Sequence, residues 1–210
     1  MFLNREEAGL RLAVALSKEK NTGHAVIFGI PRGGIVVAKT ISDVLNLPLS
    51  ALLVKKIGAP HNPELAVGAT GSNGVVFWDE ELLHRLHISA KEKGESLRNS
   101  IRTIKAREKS LGVKSLKKVD LKGKVVIVVD DGVATGATAI AASLILNKMG
   151  ATKIILATPV ISKNTKREIA QYFDKIVAVE TPDDFFAVGE FYQEFPQVED
   201  KEVKAILNSK

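Results

Sequence analysis

Two kinds of segment alternate along this chain: short, continuous apolar runs and longer stretches in which apolar residues recur at helical spacing. The runs are rich in valine and isoleucine, which is typical of strands buried on both faces of a parallel sheet. They predict five core strands, at Ala25–Ile30, Leu49–Val54, Val125–Val129, Ile154–Ala157 and Ile176–Val179.

The helical stretches lie before and between these runs. Asn4 and Glu7 have capping-box spacing, so a first helix is predicted from Arg5 to about Lys20. Three more helices are predicted at Gly34–Leu45, Thr138–Met149 and Lys163–Phe173. The alternation predicts an α/β fold in one domain, residues 1–210, with an open, mainly parallel sheet of about five strands flanked by helices.

An insertion, residues 58–122, separates the second and third core strands. The turn Ser72-Asn73-Gly74 lies between short apolar stretches and predicts a hairpin whose second strand is Val75–Trp78. Asp79 can then cap a short helix that ends near Leu86. The insertion therefore begins with a small antiparallel unit outside the parallel sheet.

A long helix completes the insertion. Ser89 and Glu92 form a second capping box, and Gly112 is the stop residue after Leu111. Its apolar residues form a narrow seam that packs on its own domain or contacts a second copy in a homodimer; they are Leu97, Ile101, Ile104 and Leu111.

Composition narrows the class of protein. The chain has 210 residues, 45% hydrophobic, and no cysteine, so disulfides, thiolate metal sites and cysteine nucleophiles are excluded. No apolar run approaches the ~20 residues that cross a bilayer. The first residues lack the plan of a signal peptide. We therefore expect a cytoplasmic protein that does not interact with membranes.

The positive charge of the chain is concentrated in the insertion. The net charge is +6, and residues 85–124 hold thirteen Lys or Arg against four Asp or Glu. This segment is either a solvated helical face or a surface that steers polyanions toward a nearby cleft. Charge alone does not distinguish a phosphorylated small molecule from a nucleic acid.

The most informative segment begins where the strand Val125–Val129 ends in two adjacent carboxylates, Asp130 and Asp131. A bend of mostly small residues and the start of a helix follow, where free N–H groups and the helix dipole favour a phosphate. Ligands of open α/β sheets bind at this end of the strands. The candidate phosphate-binding residues are Gly132, Val133, Ala134, Thr135, Gly136, Ala137 and Thr138.

Two carboxylates beside a phosphate site would repel the anion unless the ligand also brings hydroxyl donors or a cation. A ribose 2′,3′-diol supplies such donors, and Mg²⁺ needs only one or two carboxylates, bound directly or through water. The alternative is an ordinary strand-to-helix turn with an aspartate cap. That alternative requires one aspartate and explains neither the glycines nor the threonines.

This segment resembles the signature of type I phosphoribosyltransferases, which bind 5-phosphoribosyl-1-pyrophosphate (PRPP). The resemblance implies that Asp130 and Asp131 hold the ribose diol and that the bend holds the 5′-phosphate. It also implies Mg²⁺ as cofactor, a nitrogenous base or other nitrogen acceptor as second substrate, and release of pyrophosphate. Ala134 resembles the residue found in adenine and uracil enzymes rather than the acid found in 6-oxopurine enzymes.

A second candidate anion site follows the first strand. Pro31, Arg32, Gly33 and Gly34 lie between that strand and a helix, and Arg32 offers a bidentate fork to phosphate oxygens. Taken alone, an ordinary strand-to-helix turn explains this segment equally well. It resembles the pyrophosphate loop of the same family, and the resemblance implies a cis peptide between Pro31 and Arg32.

Lys55 and Lys56 follow the second predicted strand and also resemble family residues that meet the pyrophosphate. Successive strand residues point to opposite faces, so at most one lysine can point into the cleft, and the resemblance favours Lys56. We therefore predict Arg32, Lys56, Asp130 and Asp131 as catalytic residues.

The resemblance also implies a mobile loop over the site. The stretch Gly58–Gly68 is the preferred candidate, with His61 and Glu64 as possible contacts, and Lys114–Lys118 is the alternative. Residues 181–210 are predicted as a hood and a C-terminal helix. The hood aromatics either stack on a base or form a small core; they are Phe185, Phe186, Phe191, Tyr192 and Phe195.

A narrower resemblance, to a group of predicted bacterial phosphoribosyltransferases, rests on Ile57–Pro60, Asn62–Ala66 and Val188-Gly189 followed by Tyr192 and Phe195. In place of an Arg/Gly/Pro-rich segment of that group, this chain has Val113–Asp120. The alternative function is a PRPP-sensing regulator in which the basic helix contacts nucleic acid. The sequence does not favour nucleic acid as a partner, because no helix-turn-helix pattern is evident.

Overall fold

The computed structural model of the chain describes residues 1–19, 22–72, 74–113 and 121–209 and, of Glu64, only the main chain. The elements in chain order are α1 (Arg5–Ser17), β1 (Val26–Gly29), α2 (Gly33–Leu45), β2 (Leu49–Ala51), β3 (Val54–Ala59), β4 (Asn62–Gly71), β5 (Val76–Trp78), α3 (Glu80–Arg85), α4 (Ala90–Leu111), β6 (Val125–Val129), α5 (Ala137–Lys148), β7 (Lys153–Val160), α6 (Lys163–Ile169), β8 (Lys175–Glu180) and α7 (Asp200–Asn208).

The main sheet has five strands in the order β2-β1-β6-β7-β8, and every pair is parallel. This confirms the predicted α/β fold. The second strand is shorter than predicted: Leu52 still donates a hydrogen bond to the Gly29 carbonyl, at 2.9 Å, but the chain then leaves this sheet. An apolar run therefore continues across a sheet boundary that periodicity does not reveal.

Helices cover both faces of the sheet, and alternate strand residues point to opposite sides. Ile127 and Val129 of β6 pack under α1 and α2, whereas Val126 and Val128 pack under α5. Burial on both faces explains why the sequence of β6 is continuously apolar. The helix starts follow the predicted caps: the Asn4 side chain accepts a hydrogen bond from the Glu7 N–H at 3.0 Å.

The insertion forms a second, antiparallel sheet in the order β3-β4-β5. The hairpin β4–β5 confirms the prediction from Ser72-Asn73-Gly74. The prediction that Gly58–Gly68 is a loop was wrong, because β3 and β4 pair through most of this stretch and turn at Pro60-His61. The ladder is irregular at Gly58, and such irregularities accommodate glycine and proline within paired strands.

The long helix α4 begins with the predicted capping box at Ser89 and ends at Gly112 in the left-handed conformation, with φ of 62°. Its residues Ile104 and Leu111 are buried in a cluster with Ile35 of α2 and Val203 of α7. Packing on its own domain therefore accounts for this part of the predicted seam. Within the described residues, no helix is both long and apolar enough to span a membrane.

Candidate functional site

The bend after β6 is anchored on both sides by neighbouring elements. The Val133 N–H donates to the Val160 carbonyl at 2.9 Å, and the Thr165 hydroxyl donates to the Ala134 carbonyl at 2.8 Å. Gly136, with φ of 73°, turns the chain into α5, a conformation that strongly favours glycine. These contacts tie the bend to β7, α6 and the start of α5.

Several backbone N–H groups of this bend point to no protein acceptor. Within the described part of the chain, no hydrogen-bond acceptor is found for the amides of Ala134, Thr135, Gly136, Thr138 and Ala139. They border a cavity of about 190 Å³ at the start of α5. Unsatisfied amides at a helix N-terminus are suited to a phosphate group, and phosphate binding at this bend stays a prediction.

Asp130 lies beside this cavity at the end of β6 and retains intermediate exposure. Its Oδ1 accepts a hydrogen bond from the Asp131 N–H at 3.0 Å. Burial of the carboxyl group, and after it the charge of Asp131, raises the pKa of Asp130 well above its usual value. Hydroxyl donors or a cation placed at this carboxylate would stabilise its charged form.

Asp131 has a different environment, which the sequence did not reveal. Its Oδ2 accepts a hydrogen bond from Nε of Arg5, in α1, at 2.8 Å, and both side chains are largely buried. One signal was available: Arg5 lies at helical spacing from Ala8 and Leu12, on the buried side of α1. A charged residue on an apolar stripe indicates a buried partner.

The hood lies directly against the acidic pair. The Tyr192 hydroxyl donates to the Asp131 carbonyl at 2.6 Å, and its ring is buried beside Phe2 and Phe195. Burial raises the pKa of Tyr192. Phe185 stacks on Phe191 with ring centroids 5.4 Å apart.

The hood aromatics therefore form mostly a small core, one of the two interpretations left open by the sequence. Phe186 differs from the others, because 86% of its surface is exposed.

The predicted pyrophosphate loop follows β1 and contacts the acidic pair. The peptide bond between Pro31 and Arg32 is cis, as expected. A Cβ atom on Gly33 would lie 1.8 Å from Oδ2 of Asp131, and one on Gly34 would lie 2.9 Å from Cα of Asp130. Because both glycines lie against the acids, the two predicted loops meet at Asp130 and Asp131.

The Arg32 side chain lies between the pyrophosphate loop and two later elements. Its Nη1 is 3.7 Å from Oδ1 of Asp200 in α7, and Nη1 of Arg107 in α4 is 3.5 Å from the same atom. Ser110 also donates a hydrogen bond to Asp200 and lowers the pKa of that carboxyl group. The sequence pattern does not predict this contact, because the three elements are far apart in the chain.

The prediction placed Lys55 and Lys56 at the end of a core strand, and this was wrong. Both lysines lie within β3 of the second sheet. Lys55 is exposed, whereas Lys56 is partly buried. Lys56 lines a cavity of about 250 Å³ together with Ala137, the first residue of α5. Lys56 and the start of α5 therefore border the same cavity, and a role for Lys56 at the diphosphate stays a prediction.

The remaining predicted site residues are His61, Glu64 and the two candidate segments for a mobile loop. Nε2 of His61 lies 3.3 Å from a carboxylate oxygen of Glu92, and the His61 side chain is 92% exposed. The Glu64 side chain and the alternative loop Lys114–Lys118 lie outside the described residues. A mobile loop over the site, at either segment, stays a prediction.

Comparisons with known proteins show which family the chain belongs to. The profile of the phosphoribosyl transferase domain matches residues 3–194. Two proteins named "Putative phosphoribosyl transferase", from two strains of Mycobacterium tuberculosis, are 36% identical over 208 residues, 99% of this chain. The chain spans 46% of the length of each of these relatives.

A solved structure of similar chain length has the same fold. The crystal structure of TT1426 from Thermus thermophilus is 35% identical, with a TM-score of 0.89 over 98% of this chain and 97% of that one. The match to the family profile, residues 3–194, includes the two loops and the acidic pair. The chain belongs to the phosphoribosyl transferase family.

Proposed function

We propose that this protein binds PRPP with Mg²⁺ and transfers its 5-phosphoribosyl group to a nitrogenous acceptor, releasing pyrophosphate. One observation carries the proposal: two loops suited to phosphate groups meet at a pair of carboxylates. The strands that precede them, β1 and β6, are adjacent and parallel and end at the same level, with Gly29 opposite Val129. PRPP has this same plan, a diol flanked by a phosphate and a diphosphate.

Each part of PRPP has a matching set of groups in this arrangement. The five unsatisfied amides at the start of α5 suit the 5′-phosphate, because they lie at a helix N-terminus; they belong to Ala134, Thr135, Gly136, Thr138 and Ala139. Asp130 and Asp131 suit the ribose hydroxyls, which donate hydrogen bonds. The backbone of Gly33 and Gly34, with Arg32, suits the diphosphate.

The chain's own donors are consistent with Mg²⁺ bound together with the ligand. Within the described residues, no cluster of three or more His, Cys, Asp or Glu could form a complete metal site. Mg²⁺ commonly uses one or two carboxylates, several waters and substrate phosphates, and Asp130 and Asp131 can supply those carboxylates. When bound, the ion would neutralise charge on the diphosphate.

The contribution of the protein to the reaction is mainly electrostatic. The bond from C1 of the ribose to the diphosphate breaks, and the nitrogen of the acceptor forms the new bond to C1. Positive charge develops on the ribose ring near Asp130 and Asp131, and negative charge develops on the leaving group near Arg32 and Lys56. Preorganised charges of this kind stabilise a transition state strongly where water is excluded.

The acceptor would enter from the hood side, because Val188 of the hood packs against Gly132, beside the acidic pair. The exposed ring of Phe186 is free to contact a planar base. Stacking on such a ring suits any nitrogenous base. These contacts suit an acceptor that has a nitrogen nucleophile and a flat ring, and they select no particular base.

Replacing Lys56 with methionine is expected to lower kcat/KM about a hundredfold, because a cation near the leaving diphosphate stabilises charge that develops in the transition state. The matched control is Lys55→Met, which removes the neighbouring, exposed lysine of the same strand. Pyrophosphate release from PRPP and Mg²⁺ would be measured with a panel of purine and pyrimidine bases. Equal losses in the two variants would contradict the role assigned to Lys56.

Pyrophosphate release by the wild-type protein with at least one base of the panel would support the transferase. PRPP binding without release for any base, together with salt-dependent binding of RNA or DNA, would instead support the regulator in which α4 contacts nucleic acid. The basic surface of α4 by itself favours neither outcome.

A further inference from the structure

The buried arginine of the N-terminal helix joins three parts of the molecule at the acidic pair. Arg5 is 7% exposed. Its Nε donates to Oδ2 of Asp131 at 2.8 Å, its Nη1 donates to the Pro196 carbonyl at 2.9 Å, and its guanidinium carbon lies 3.8 Å from the centre of the Phe195 ring. These contacts connect α1, the end of β6 and the hood.

The planar guanidinium group fits this position in a way that other cations do not. Its donors diverge in a fixed fork, and its flat face stacks on an aromatic ring. Arg5 uses both properties, since it binds Asp131 and Pro196 while it covers Phe195. A lysine at this position could carry the charge but could not make all three contacts at once.

The pyrophosphate loop packs on the same ion pair. A Cβ atom on Gly33 would lie 1.8 Å from Oδ2 of Asp131 and 2.8 Å from Nε of Arg5. The ion pair of Arg5 and Asp131 therefore fills the space that a side chain at residue 33 would need, and the Gly33 backbone packs directly on it. A displacement of the Asp131 carboxylate would reach the loop directly.

The hood fixes the main chain of Asp131. The Tyr192 hydroxyl donates to the Asp131 carbonyl at 2.6 Å, so Asp131 is held by its side chain and its backbone from two different elements. Asp130 has no such cationic contact within the described part of the chain. The two neighbouring acids are therefore held unequally.

We propose that Arg5 is a positioning residue that fixes the Asp131 carboxylate, and with it the Gly33 loop, in the arrangement that binds PRPP. This role rests on the proposed function. Arg5 itself does not contact the ligand; it acts through Asp131. Of the two acids, Asp130 is the one whose carboxylate remains available mainly to the ligand.

A double-mutant cycle tests this role. The dissociation constant for PRPP with Mg²⁺ would be measured by titration calorimetry for wild type, Arg5→Met, Asp131→Asn and the double variant. We expect Arg5→Met to weaken binding about ten- to hundredfold, the usual effect of removing a group that orients a ligand-binding residue. We expect the double variant to bind no more weakly than Asp131→Asn, because the two residues act as one unit.

Two further variants separate positioning from folding. Arg5→Met leaves the Asp131 charge without its partner and can destabilise the protein. The double variant removes both charges and avoids this effect. Arg5→Lys keeps the positive charge and should recover part of the affinity for PRPP. Arg11→Met is the matched control, because it removes a partly exposed arginine of the same helix that pairs with Glu7. Urea unfolding of each variant confirms that the titrated protein is folded.

The outcomes are distinct for each claim. Wild-type protein that does not bind PRPP overturns the proposed function and, with it, the role of Arg5. Wild-type binding with an unchanged dissociation constant in folded Arg5→Met overturns the role of Arg5 alone. Additive losses in the double variant show that Arg5 acts independently of Asp131 and also overturn it.

Discussion

Replacing Asp130 with asparagine is expected to weaken PRPP binding by about a hundredfold or more. A carboxylate accepts charge-assisted hydrogen bonds from the ribose hydroxyls, each worth about 1.5–3 kcal/mol, and the amide offers only one oxygen and no charge. A loss of ~2.7 kcal/mol corresponds to a hundredfold change in the dissociation constant. Titration calorimetry with PRPP and Mg²⁺ measures this loss directly.

The same substitution is not expected to destabilise the ligand-free protein. Burial and the charge of Asp131 raise the pKa of Asp130, so the ionised carboxyl group opposes folding at neutral pH, and its removal should leave the melting temperature unchanged or higher. Asp184→Asn, in the exposed part of the hood, is the matched control and should bind PRPP like wild type. If Asp130→Asn also binds like wild type, Asp130 does not hold the ribose.

Replacing Gly33 with alanine should remove PRPP binding and lower the free energy of unfolding by about 3 kcal/mol, at the upper end of the range for inserting a group into packed space. The added methyl group would overlap Oδ2 of Asp131 and crowd Nε of Arg5. The conflict is relieved only if the loop moves or the ion pair separates, and a buried charge without its partner is costly.

A matched glycine allows the effect of crowding to be separated from the effect of alanine itself. A Cβ atom on Gly23 would meet no atom within 4 Å, so Gly23→Ala should leave both binding and stability close to wild type. Urea unfolding and PRPP titration of both variants are the measurements. Equal behaviour of the two variants would show that Gly33 is not packed against the ion pair.

The sequence predicted the elements that form from local signals. The apolar runs identified the five parallel strands, and the caps at Asn4, Asp79 and Ser89 identified three helix starts, because both signals lie within a few residues of the structure they determine. The paired strands β3 and β4 were missed because Gly58 and Pro63 are typical of loops. An irregular ladder accommodates them, and this irregularity depends on the partner strand.

The candidate site also has a part that local sequence predicts and a part that depends on contacts between distant segments. The acidic pair and the phosphate loop are contiguous in sequence, so their chemistry could be predicted from one segment. Arg5 lies 126 residues from Asp131 in the chain, and Asp200 reaches Arg32 from the last helix. Contacts between distant segments depend on the packing of α1 and α7, for which the sequence offers only the indirect signal of a charge on a buried helix face.

The most direct test of the central claim is a crystal structure of the protein with PRPP and Mg²⁺. We predict the 5′-phosphate at the amides between Ala134 and Ala139, the ribose hydroxyls at the carboxylates of Asp130 and Asp131, and the diphosphate beside Gly33 and Gly34. PRPP bound elsewhere, or absent from this cleft at saturating concentration, would contradict the account.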